Sequence, residues 1–157
     1  MTQTHRYTAT TTWSRDGAAF TDLKYSRAHR WAFDGGVDIP ASSSPLHVRV
    51  PFSDPAGVDP EEAFVASISS CHLLSFLYVA AKRGIVVERY VDDAEGVMDR
   101  NEEGRLAITR VVLRPRVTYE TAPDAETESA LHHQAHEDCY IANSVRTEVL
   151  VEPVAPA

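Results

Sequence analysis

Ala63–Ala81 is a run of nineteen residues without a single Asp, Glu, Lys or Arg, and no other segment constrains the fold as much. Its length approaches the roughly 20 residues of a membrane span. Ser67, Ser69, Ser70, His72 and Ser75 dilute it, however, and strand-like, amphipathic segments flank it on both sides. The run is therefore expected to be a buried helix, apolar on most sides because sheets cover it. Asp59-Pro60-Glu61-Glu62 supplies its start: a capping Asp, Pro at the first helical position and carboxylates at the positive end of the dipole. Gly84 is the expected stop, after about Arg83.

The remaining segments give an α+β order, βββ-α-ββ-α-β. Tyr7–Trp13, Phe20–Phe33 and Leu46–Phe52 are expected strands. The turn Ser14-Arg15-Asp16-Gly17 follows the first, and a Ser- and Pro-rich loop, Pro40–Pro45, precedes the third. Ile85–Met98 and Arg105–Tyr119 are expected as two strands joined at Asn101-Glu102-Glu103-Gly104, with Pro115 marking an edge or a bulge. Asp124–Asp138 is the second helix, Cys139–Ser144 a bend, Val145–Glu152 the last strand and Pro153–Ala157 a frayed tail. At 157 residues, the chain fits one domain, residues 1–157.

The formal net charge of −8 argues against nucleic acid or an anionic membrane as partner, since both need basic surface. The first residues, Met1-Thr2-Gln3-Thr4-His5-Arg6-Tyr7, lack an apolar core of the kind that directs export. A cytoplasmic setting is expected, in which two cysteines stay reduced unless they are catalytic.

Those two cysteines, Cys71 and Cys139, raise the question of chemistry. Cys71 lies some twelve residues into its helix, too far for the dipole to act on it. Its neighbours one turn away, Ser67, Ile68, Leu74 and Ser75, offer neither base nor cation. On local evidence it is a small apolar core residue. If it is reactive, the activating charge comes from elsewhere in the fold. On the period of two, Tyr25, Arg27, His29, Trp31 and Phe33 share a face, so Arg27 must meet an anion or stack on a ring. Arg15, in its turn, and Arg49 are the other candidate arginines. Glu61 lies ten residues before Cys71, roughly 15 Å along a helix axis. It can serve Cys71 only if the helix breaks or another subunit supplies the glutamate. His132, His136 and Cys139 fall at i, i+4 and i+7, a spacing that offers three of four zinc ligands. The alternative is a solvated polar face, and neither a fourth ligand nor a zinc-ribbon pattern is present.

Asp59-Pro60-Glu61-Glu62-Ala63-Phe64, then Ala66, then Ser69-Ser70-Cys71-His72 resembles the first signature of the OsmC/Ohr superfamily, the osmotically inducible protein C and organic hydroperoxide resistance proteins. Ala135-His136-Glu137-Asp138-Cys139-Tyr140-Ile141-Ala142-Asn143-Ser144 resembles the second. Tyr140 stands where that family commonly has proline, and His72 where it commonly has Phe. The resemblance implies an intertwined homodimer, with antiparallel sheets from both chains wrapped around long central helices. It also implies a thiol-dependent peroxidase that reduces organic hydroperoxides and is reset by an external dithiol. Cys71 would be peroxidatic, Cys139 resolving and Glu61 the glutamate of the site, without a cofactor. For the arginine, Ser14-Arg15-Asp16-Gly17 resembles the turn of the organic-hydroperoxide branch and Arg49 lies roughly where the OsmC branch keeps its own, whereas the strand face favours Arg27. The alternative from a different class is a non-catalytic binding protein holding a metal at His132, His136 and Cys139.

Overall fold

A computed structural model describes residues 3–155. Packing divides the chain into two compact units, one ending at Ala63 and the other beginning at Phe64. In the N-terminal unit, β1 (Ala9–Thr12), β2 (His29–Phe33) and β3 (Asp38–Ala41) form an antiparallel sheet in the order β1-β2-β3. The expected strand over Phe20–Phe33 survives only from His29 onward. Before it, the Asp22 carboxylate accepts the Lys24 N–H at 3.0 Å, and Leu23 adopts φ 63°. An Asx turn thus outcompetes extension there. Leu46–Phe52 is also not a strand. The His47 and Val48 N–H groups both return to the Ser44 carbonyl, and the Phe52 N–H returns to Arg49, so local turns consume the donors a sheet would need. Pro40 and Ala41, expected in a loop, instead end β3.

Helix α1 (Pro60–Lys82) runs unbroken for 23 residues. Its start is a reciprocal capping box. The Glu62 N–H donates to Asp59 Oδ1 at 2.8 Å, and the Asp59 N–H to Glu62 Oε2 at 3.1 Å. Its end is a Schellman turn. Gly84 at φ 70° donates to Ala81, and the Ile85 N–H reaches the Ala80 carbonyl.

The C-terminal unit splits each expected long strand in two. β4 (Val87–Asp92) pairs with β7 (Pro115–Tyr119), while β5 (Glu95–Arg100) pairs with β6 (Leu106–Leu113). The break is held by Asp92. Its carboxylate accepts the Arg114 N–H at 2.6 Å and the Ser69 hydroxyl from α1. Pro115 marks this change of sheet. β8 (Glu148–Val151) joins β6 in parallel, a departure from the all-antiparallel expectation. The Val154 N–H donates to the Pro115 carbonyl at 2.9 Å, so the expected frayed tail is anchored there; Pro156 and Ala157 fall outside the described residues.

Two cores share α1. Phe76, Val79 and Ala80 meet Val117 of β7 and Leu131 and Ala135 of α2 (Ala125–Glu137). Ile68 meets Val111 and Leu113 of β6. The buried stripe of α1 is Ile68, His72, Phe76, Val79 and Ala80. The opposite stripe is open, with Leu74 65% and Tyr78 64% exposed. The helix is therefore half covered within this chain, not buried all round.

A Cβ added at Gly96 of β5 would stand 2.5 Å from Val65 Cγ2 on α1. Gly96→Ala should therefore destabilise the protein by about 1–3 kcal/mol, measured as a lower urea midpoint at unchanged slope.

Candidate active site

The loop after α2 brings the two cysteines together. Cys139 follows the C-cap Asp138. The chain then bends because the Asn143 N–H returns to the Cys139 carbonyl and the Asn143 side-chain amide donates to the Glu137 carbonyl at 2.8 Å. The Ser144 hydroxyl ties down Tyr140, and Ala142–Ser144 closes as a 3-10 turn. This bend aims two backbone donors at sulfur. The Ile141 N–H lies 3.5 Å from Cys71 Sγ, and the Ala142 N–H 3.4 Å from Cys139 Sγ.

Both cysteines are free thiols, Cys71 half-buried and Cys139 buried. Although 68 positions separate them in sequence, their sulfurs accept from two successive backbone N–H groups of the same bend. Burial pushes the Cys139 thiol up to about 11, and the Cys71 side chain adds to the rise against the Ala142 and Ile141 N–H groups. At neutral pH Cys139 is therefore held as the thiol. Among the described residues, no charged side chain hydrogen-bonds either sulfur.

In the N-terminal unit, Arg27 and Glu61 line one cavity of about 500 Å³ whose walls include Trp13, Phe20 and Tyr25. The Arg27 guanidinium stacks 3.8 Å from the Tyr25 ring centroid and donates to the Leu23 and Tyr25 carbonyls. The capping box occupies Glu62 and leaves Glu61 free, its Oε1 3.9 Å from His47 Nε2. Arg15 lies in an exposed turn and donates to the Ala18 carbonyl. Arg49 is exposed, its guanidinium 6.0 Å from the Phe52 ring. Neither lines the cavity.

A buried histidine pair was not foreseen. His72 Nε2 and His132 Nδ1 share one hydrogen bond at 3.1 Å, with ring planes 5° apart. Phe76 stacks on His132 at 4.3 Å. Burial pushes His72 down to about 4, with His132 and His136 adding to it, and burial alone takes His132 to the same value. The sequence signal was present, because His72 lies midway between Ile68 and Phe76 on a four-residue repeat. The proposed His132, His136 and Cys139 ligand set is not assembled. His132 gives its Nδ1 to His72 instead, and among the described residues no three His, Cys, Asp or Glu side chains form a metal-holding group.

Residues 53–153 match the family model described as OsmC-like protein. An OsmC-like protein of unknown function from Vibrio cholerae O1 biovar eltor is 51% identical. That match covers 96% of this chain and 100% of the other, with TM-score 0.94. Organic hydroperoxide resistance proteins from Elizabethkingia anophelis (TM-score 0.72, 99% of each chain covered) and Legionella pneumophila (TM-score 0.70, 99% of this chain and 100% of that one) share the fold at 18% identity. No curated protein matches the sequence.

Proposed function

We propose that this chain, which belongs to the OsmC-like protein family, is a thiol-dependent peroxidase that reduces organic hydroperoxides. The observation that carries the reading is the pairing of one half-buried and one buried free thiol at the α2 bend. Thiolate, not thiol, attacks a peroxide. With Cys139 held protonated, the attack falls to Cys71. The Cys71 thiolate attacks the distal oxygen of the O–O bond, and the S–O bond forms as the O–O bond breaks. The departing alkoxide takes up a proton to become an alcohol, and Cys71 is left as a sulfenic acid. Cys139 then condenses with it, forming a disulfide and water, and an external dithiol restores both thiols.

Arg27 and Glu61 are the proposed activating pair, because they share a cavity while Arg15 and Arg49 do not. Helix α1 does not break between Glu61 and Cys71, so the pair serves Cys71 of a second copy. A homodimer joined along the open stripe of α1, where Leu74, Leu77 and Tyr78 stand exposed, supplies that arrangement. A reducing cytoplasm would keep the couple reset.

The test is mass spectrometry after a single equivalent of cumene hydroperoxide. An intramolecular Cys71–Cys139 disulfide is the expected product. Its absence, with both thiols unmodified, would overturn the reading.

A further inference from the structure

We propose that the cavity of the N-terminal unit is an aryl-binding site that selects ring-bearing hydroperoxides over compact alkyl ones. For its reaction the inference rests on the peroxidase reading; for binding it stands alone. Three rings build the wall. Phe20 stacks on Tyr25 at 4.6 Å and 24°, Trp13 meets Tyr25 edge-on at 5.6 Å, and Trp13 and Phe20 lie 5.9 Å apart. These spacings are the offset and edge-to-face geometries that aromatic groups prefer. The wall is fixed before any ligand arrives. The Trp13 indole N–H is tied to the Ser26 carbonyl at 2.8 Å, and Arg27 caps Tyr25 from its own carbonyl anchors.

The rings are not spent on one another, since Phe20 is 47% and Trp13 40% exposed. Most aromatic side chains of that size bury their area in a core. Here the rings flank a space of about 500 Å³, at the low end of the usual range for small-molecule sites. Its polar groups suit a hydroperoxide. The Glu61 carboxylate accepts from the terminal O–H, and guanidinium N–H groups of Arg27 donate to peroxide oxygen. An alkyl group would gain only by leaving water. An aromatic ring gains a further two- to tenfold or so from ring–ring contact.

The probe is 2-phenyl-2-propanol, the alcohol cumene hydroperoxide would release, with tert-butanol as the ringless control. Trp13 and Trp31 are the two tryptophans, so Trp31→Phe leaves Trp13 as the sole indole reporter. Saturable quenching by the phenyl alcohol and none by tert-butanol is expected. Phe20→Ala should weaken binding by about three- to tenfold, and Phe20→Leu by less. The ratio of kcat/KM for cumene over tert-butyl hydroperoxide should fall in Phe20→Ala by a similar factor. Equal binding of the two alcohols, or binding indifferent to Phe20, overturns the site. Phenyl alcohol binding without turnover of either peroxide upholds the site and overturns the peroxidase reading instead.

Discussion

Cys71→Ser should reduce hydroperoxide turnover to background, a loss of about three orders of magnitude or more, as removal of a nucleophile does elsewhere. The assay is oxidation of a dithiol driven by cumene hydroperoxide. Cys139→Ser should behave differently. Cys71 would still be oxidised, and its sulfenic acid would persist long enough to be trapped by a carbon nucleophile such as dimedone. Buried Cys139 is a poor first nucleophile because it stays protonated, but it is well placed as a second one beside Cys71. If Cys139→Ser abolished oxidation and Cys71→Ser did not, the roles would be reversed and the mechanism wrong.

The second large effect is on stability against pH. His72 and His132 are held neutral by burial, each near 4 rather than 6.5. Below 6.5 the unfolded chain takes up protons that the native pair refuses, so stability falls as pH falls. The contribution is fully present above about 6.5 and is lost down to about 4. It amounts to on the order of 3 kcal/mol for the pair. The two shifts do not add in full, because the rings are in direct contact and titrate as a pair. Urea unfolding at pH 7.5 and pH 5, above most carboxylate titration, checks this. The wild-type midpoint should drop, while that of the double variant His72→Phe/His132→Leu should change much less. Equal pH sensitivity in both would show that the pair plays no such part.

Part of this site could be read directly from the chain. The capping Asp59, Pro60 at the first position and the Gly84 stop bounded α1 to within a residue, because caps act through neighbours two or three residues away. The two sequence signatures also mark the two cysteines that the bend after α2 brings near one another. What local reading missed has a common cause. Arg27 was expected on a strand face, but the strand begins two residues later because Asp22 and Leu23 turn the chain first. The ring-stacked arginine, one of two outcomes left open, is what the fold delivers. His132 does not stay on a solvated face of α2, because it meets His72 across 60 residues of sequence.

The helices, their caps and the family signatures could be read from the chain, because each is set within one turn or one motif. The strand bounds could not, since side-chain and backbone turns replace two expected strand segments and both long strands divide. Only the tertiary structure decided which stripe of α1 is covered. Ala63–Ala81 is uncharged and apolar on most sides, so periodicity carries little preference among its faces. The choice fell to what α2 and β6 could pack against, which buried His72 and Phe76 and left Leu74 and Tyr78 open. The meeting of Cys71 with Cys139 was decided in the same way, because it depends on a bend after α2 held by backbone hydrogen bonds.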